Sequence, residues 1–392
     1  MTGHREDSIN KPGILHIITP EYSPTIGGIA DHTKLLADGL RPRGWSVRVW
    51  CLGKKRSPEL IVDGKKPVGL GSSPWAYQIA DRQIRSDGGS ILLQWVPQAY
   101  GFAAMNLPFC LWVWSLARRG IPLYLMAHEV YVNPRKGTWK QRIVGWVQFF
   151  LVGLLLRRAC YAWGSTIHFC RLLRGCSVDF RPPIGWLPVF SNVPVIHAPG
   201  RIKKLRDELL VPNGEPLLGH FSTFNPHHAS LLKEMICRLS ELRSSQRFIL
   251  IGKNSRAFLD LLAAENPQAA SRCTATGGVS LEDLSIHLQS CDLMLQPYAG
   301  GVNSRQGSVM ACLGHGLPVA TTRGWMTEDV WKSTENPFLL HASRIDELCT
   351  KVQDLISSHG SLHDMGERAL ESYNTFFALK HSLDSFSKAF VA

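Results

Sequence analysis

The apolar positions of this chain fall into short unbroken runs separated by stretches with helical spacing. "ILHIIT", Ile14 to Thr19, is rich in β-branched residues and does not alternate, as expected of a strand buried on both faces of a parallel sheet. "SVRVWC", "ILLQW", "IPLYLMA", "EPLLGHF", "RFILIG", "CDLMLQP" and "LPVATT" repeat the pattern along the chain. Helical stretches lie between them; in the first, Ile29, Leu36 and Leu40 share one face before "RPRG" ends the helix. Repeated strand–helix units predict parallel sheets covered by helices. From Leu187 to Gly200 the periodicity lapses into the proline-punctuated "LPVFSNVPVIHAPG", which reads as an interdomain linker, and a new strand begins at Leu217. The expectation is two doubly wound Rossmann-like α/β domains, 1–190 and 191–378, with 379–392 a helix returning to the first. A ligand is expected in a cleft between the carboxyl ends of the two sheets.

Composition narrows this picture. A length of 392 residues suits two domains. The N-terminal "MTGHREDSINKPG" lacks the apolar core of a signal peptide, and no run reaches the roughly 18 apolar residues of a spanning helix. The most apolar segment is "GWVQFFLVGLLLRRACYAW", Gly145 to Trp163, interrupted by one Gln and flanked by Lys140, Arg142, Arg157 and Arg158. It reads as a core helix, with shallow insertion into a membrane interface as the alternative. Ten scattered cysteines without a C-x-x-C pair suggest a reduced, cytoplasmic protein without a structural metal. The net charge of +12 is uneven: residues 1–195 hold 24 Lys and Arg against 11 Asp and Glu. That half therefore suits an acidic partner such as an anionic membrane, a lipid phosphate or an acidic saccharide. No nucleic-acid motif accompanies the charge. The expected location is cytoplasmic, peripheral at the inner face of the membrane.

Three stretches carry candidate chemistry. In "PTIGGIADHTKLLADGL", Gly27 and Gly28 precede a helix whose positive end could receive an anion; the plain alternative is a tight strand–helix connection. In "CDLMLQPYAGGVNSRQGSVMACLGHGLPVATTRG" a strand ends at Pro297 and a helix is predicted to start near Ser304. Asn303, Ser304, Arg305 and Ser308 would then form a diphosphate cradle, unless Asn303 or Ser304 merely caps the helix and Arg305 faces solvent. His128 follows the strand "IPLYLMA" with Glu129 beside it, and so stands at a carboxyl end; a hydrogen-bonded structural pair is the alternative. Asp31 and His32 lie in the first helical turn and are second-tier candidates.

"GVNSRQGSVMACLGHGLPVATTRG" resembles the donor-binding region of the family 4 glycosyltransferases, which adopt the two-domain GT-B fold. "GGIADHT" and "LMAHEVYV" resemble the same enzymes' Gly-Gly loop and the segment that places a histidine in their cleft, so the resemblance runs from Ile14 to about Phe377. It implies transfer of a hexose from a UDP- or GDP-sugar to a saccharide or lipid-linked acceptor held by the N-terminal domain. It also implies retention at the anomeric carbon and no metal or other cofactor. His128 would hydrogen-bond the donor sugar, with Glu129 touching the acceptor or orienting the imidazole. The family's two glutamates fall on Asn303 and Ala311, and its basic pair on "GHFSTFNPHH", which offers His220, His227 and His228. Arg305 and Lys253 of "LIGKN" would then supply the charge. The chain reads as a divergent branch without the usual glutamate pair. A nucleotide-sugar epimerase of the same fold and a catalytically silent nucleotide-sugar-binding protein are the rival readings.

Overall fold

The computed structural model describes residues 13–391 apart from 26, 54–57, 66, 72, 101–103, 177–181, 210, 212–214, 225, 334–337 and 342–343. The chain forms two compact units, 1–188 with 379–392, and 189–378.

Unit 1 contains strands β1 (Ile14–Thr19), β2 (Ser46–Cys51), β3 (Glu59–Val62), β4 (Val68–Gly69), β5 (Ser90–Trp95), β6 (Leu123–Ala127), β7 (Ala159–Gly164) and β8 (Ile184–Trp186). Its helices are α1 (Gly28–Leu40), α2 (Ser73–Asp87), α3 (Leu107–Arg118), α4 (Trp139–Leu156) and α5 (Ile167–Cys176). The sheet runs β4-β3-β2-β1-β5-β6-β7-β8, parallel except that β3 is antiparallel to both of its neighbours, β2 and β4. Leu15, Ile17, Leu92, Leu93, Leu123 and Leu125 are fully buried, which explains the unbroken apolar runs: helices cover both faces.

Unit 2 contains β9 (Leu217–Phe221), β10 (Arg247–Ile251), β11 (Cys273–Ala275), β12 (Leu293–Gln296), β13 (Val319–Arg323) and β14 (Phe338–His341). Its helices are α6 (Pro199–Glu208), α7 (Pro226–Leu242), α8 (Ser255–Glu265), α9 (Pro267–Ala270), α10 (Leu281–Gln289), α11 (Gly307–Gly314), α12 (Val330–Ser333), α13 (Ile345–Ile356) and α14 (His359–Ser372). The order β11-β10-β9-β12-β13-β14 is that of a doubly wound dinucleotide-type sheet, wholly parallel, with its switch point between β9 and β12. The expectation of an α/β chain of two Rossmann-like units is borne out.

The segment read as an interdomain linker is packed: Phe190 and Val193 are buried, the Ser191 N–H donates to the Tyr373 hydroxyl at 3.1 Å, and the Ile196 N–H donates to Ser285 Oγ at 2.9 Å. Its prolines break periodicity without exposing the chain. One local expectation needs correction. The helix expected near Ser304 starts at Gly307, because 303–306 form a turn. Beyond unit 2, helix α15 (Leu379–Val391) packs in unit 1, with Phe386 fully buried and Trp163 Nε1 donating to Ser385 Oγ at 2.9 Å.

Candidate functional sites in the two units

In each sheet the two strands at the switch point part at their carboxyl ends, and side chains bridge the opening. In unit 2 the β9–β12 pairing ends at Gly219 and Met294. Beyond it His220 Nδ1 donates to the Leu295 carbonyl at 2.6 Å, and Gln296 Nε2 donates to the Phe221 carbonyl at 3.1 Å. The other His220 nitrogen, Nε2, accepts a hydrogen bond from the Ser222 hydroxyl at 2.8 Å, and Ser222 Oγ accepts the Phe224 N–H. His220 is thus committed to bracing the crevice. The side chains of His227 and His228 lie outside the described residues. Lys253 is exposed in the turn after β10, at the same carboxyl edge.

The loop from Pro297 to Gln306 rises from that edge. Gly301, at φ 84°, lies so close to Gly324 that an added Cβ would sit 2.1 Å from its nitrogen, so the loop is pressed onto the end of β13. Val302 N–H donates to the Thr322 carbonyl at 2.9 Å and Tyr298 N–H to Thr322 Oγ1 at 2.8 Å. Asn303 and Ser304 are buried, and both are occupied. Asn303 Oδ1 accepts the Arg305 N–H at 3.1 Å. The Ser304 N–H and hydroxyl both donate to Glu328, which also accepts Trp331 Nε1–H at 2.8 Å. Burial pushes the Glu328 carboxyl above its ordinary range, while these hydrogen bonds act in the opposite direction. The Ser304 N–H and hydroxyl are thus engaged by Glu328. Sequence reasoning missed Glu328, since nothing in its local pattern points 24 residues back.

The donors that remain sit at the start of α11. Gln306 occupies the N-cap without a side-chain cap, and the first-turn N–H groups of Gly307 and Ser308 have no intrahelical acceptor. A Cβ on Gly307 would meet nothing within 4 Å, so this helix start is open. Ser308 Oγ lies 2.8 Å from the Tyr298 hydroxyl, which donates to Gln296 Oε1 at 3.1 Å. Arg305 is exposed beside the turn, and no acid lies in the helix's first turn. An anion is electrostatically favoured here.

Unit 1 offers a different surface. A Cβ on Gly27 would come within 2.4 Å of Glu21 Oε1, whereas Gly28 opens onto free space. With Glu21 beside the N-cap and Asp31 in the first turn, α1 already has two carboxylates at its positive end. It is a poorer anion site than α11. His128 caps β6, buried, with Nε2 2.6 Å from Gln94 Oε1 and its ring edge-on to His32 at 4.9 Å. Burial lowers His32 to about 4, so its ring is neutral at pH 7. Gln94, fully buried, keeps an Nε2 donor without a partner among the described residues. Glu129 follows, half-exposed. The loop bearing both runs over α4 at Gly145, where a Cβ would lie 2.4 Å from the Val132 carbonyl oxygen. Buried Gln148 holds it, accepting the Val132 N–H at 2.9 Å and donating to the Ala104 carbonyl at 3.1 Å. The lone polar residue of that apolar run is thus the tie that fixes the His128 loop. Among the described residues no group of three His, Cys, Asp or Glu is placed to hold a metal ion, and no helix is long and apolar enough to cross a membrane.

Residues 215–358 match the family described as "Glycosyl transferases group 1". No curated protein sequence matches the chain. Among solved structures the chain is similar to sucrose-phosphate synthase from Thermosynechococcus elongatus, with TM-score 0.71 and 13% identity over 96% of this chain and 98% of that one. It is also similar to Anabaena HepE in complex with UDP and glucose, with TM-score 0.66 and 14% identity over 97% and 99%. A third likeness is to WaaG, a glycosyltransferase involved in lipopolysaccharide biosynthesis, with TM-score 0.63 and 16% identity over 95% and 99%. The two-unit fold is that of these proteins, and within it residues 215–358, which include the α11 crevice, form a glycosyltransferase group 1 domain.

Proposed function

We propose that the protein transfers a hexose from a UDP- or GDP-sugar to a saccharide or lipid-linked acceptor in the synthesis of a cell-surface polysaccharide or glycolipid. Transfer proceeds with retention, without a metal, in the cytoplasm at the inner face of the membrane, in a divergent branch of the family 4 glycosyltransferases. The observation that carries this reading is the open, uncapped start of α11 beside Arg305, inside the segment that matches glycosyltransferases. The named neighbours support it: HepE is described with UDP and glucose, and WaaG acts in lipopolysaccharide biosynthesis.

In this reading unit 2 binds the nucleotide. The Gly307 and Ser308 N–H groups receive the diphosphate, with Arg305 and Lys253 balancing the charge that grows on the leaving group. His220 and Ser304 act one step behind, holding the crevice and the loop in shape. Unit 1 binds the acceptor. His128, oriented by Gln94, hydrogen-bonds the transferred sugar, and Glu129 meets the acceptor hydroxyl. A donor screen with purified protein, scoring UDP or GDP release with and without a lipid-linked saccharide, tests the reading. Acceptor-dependent release from one donor is expected; no release from any donor would sink it. Asn303 and Ala311, standing where the related enzymes carry acids, favour one rival, a silent nucleotide-sugar-binding protein. That rival predicts calorimetric binding of a nucleotide sugar with no release.

A further inference from the structure

Helix α4 carries an apolar stripe that unit 1 leaves uncovered. Trp139, Ile143, Trp146 and Phe150 are 66%, 49%, 46% and 67% exposed. At 100° per residue these positions fall within an arc of about 60°. The opposite side of the helix buries Gln148, Val152 and Leu155, so α4 is a core helix on one side and an unpartnered aromatic ridge on the other. α3 repeats the same spacing with Leu107, Leu111, Trp114 and Arg118. Both helices connect adjacent strands in the same direction across the sheet, so right-handed crossovers place them on one face. The Arg118 and Arg158 guanidiniums stand over the Trp114 ring at 5.5 and 5.9 Å, and Lys140 Nζ stands 5.6 Å from the Trp139 ring centre.

The charge around this ridge has one sign. Residues 105–176 contain ten Lys and Arg and a single acid, Glu129. A second copy of the chain would bring the same cations to the same face and be repelled. A phospholipid surface supplies both complements: phosphates for the cations and an interfacial layer in which Trp rings are favoured. We propose that the α3–α4 face docks the protein on an anionic lipid bilayer, with the α4 ridge lying in the headgroup region and Lys140, Arg142, Arg157 and Arg158 on lipid phosphates. The ridge begins at Trp139, at the same edge of the sheet as His128, so docking would bring a lipid-linked acceptor to that edge. The inference deepens the membrane location given under Proposed function, and vesicle binding is scored without turnover, so either can fail while the other stands.

The test uses the full chain with vesicles of phosphatidylcholine alone or containing about a third phosphatidylglycerol. Sedimentation should show binding to the acidic vesicles and little to the neutral ones. Lys140→Glu with Arg142→Glu should weaken that binding at least ~tenfold. Trp146→Ser with Phe150→Ser should weaken it similarly, and at ~0.5 M salt, where the charges are screened, should remove what the wild type retains. Melting curves establish that the variants fold, and the exposed Lys140 and Arg142 keep the test open if the aromatic pair does not. Equal binding to both vesicles, or variants that bind like the wild type, would overturn the proposal. So would a concentration-dependent dimer that the serine pair abolishes in a protein that binds no vesicles, since the ridge would then belong to a second copy.

Discussion

Arg305 carries the sharpest residue-scale expectation because the side chains beside it are already engaged. Asn303 Oδ1 accepts the Arg305 N–H and the Ser304 donors go to Glu328, so the exposed Arg305 side chain is the charged group of this turn beside the α11 start. Arg305→Ala should weaken UDP or GDP binding by about 1.5–3 kcal/mol, the value of a charge-assisted contact. Unchanged affinity in calorimetry would move the phosphate site away from this turn. His128→Ala should act differently, lowering turnover at least ~tenfold while nucleotide affinity holds, because unit 2 is assigned the nucleotide. A variant that fails to fold would instead make His128 a core histidine paired to Gln94. What was legible here was residue type and strand-end position. Partners distant in sequence were not: His220 reads as a phosphate ligand until its bond to Leu295 is seen, and Ser304 reads as a cap until Glu328 arrives beneath it.

At the scale of elements, apolar runs located the strands well, because a strand covered on both faces has nothing but apolar positions to show. Boundaries set by side-chain chemistry were harder. The helix after Pro297 begins three residues later than the pattern suggests, since Asn303 and Gln306 bond to the loop's own backbone and delay it. That loop depends on Glu328, whose carboxylate takes two donors from Ser304 and one from Trp331. Glu328→Ala should therefore cost about 2–4 kcal/mol of unit 2 stability by leaving buried donors unpaired. Glu328→Gln should cost less, because an amide oxygen can still accept some of these bonds. Denaturant titration of the two variants checks the order; equal stabilities would mean that the loop holds itself.

At the scale of the whole molecule, two buried histidines make unit 1 sensitive to acid. His16 is buried in unit 1 with its tautomer fixed: Trp50 Nε1 donates to Nδ1 at 3.1 Å, and Nε2 donates to the Gly88 carbonyl at 3.0 Å. Protonation would set one N–H against another. Burial lowers both His16 and His32 to about 4, from 6.5. Between those values the unfolded chain binds protons that the folded chain refuses, so folding stability falls as pH drops from about 6.5 to about 4, by up to roughly 3 kcal/mol for each ring. Calorimetry at pH 7.5 and 5 should show the unit 1 transition moving down with acid; a transition that stays fixed would rule out these histidines as its cause. The C-terminal helix gives a second test of the same division. It crosses the sequence boundary to rejoin unit 1, burying Phe386 against Trp163, with ring centres 4.6 Å apart. The Tyr124 hydroxyl donates to the Ala389 carbonyl at 3.0 Å, and Leu383 seats against Gly39. Phe386→Ala should destabilise unit 1 by about 3–5 kcal/mol, the cost of emptying a buried aromatic site. Hydrogen exchange should then show β6 and β7 losing protection while β9 and β12 keep theirs, because α15 packs in the unit to which those first two strands belong. Equal loss in both sheets would mean that the chain unfolds as one body.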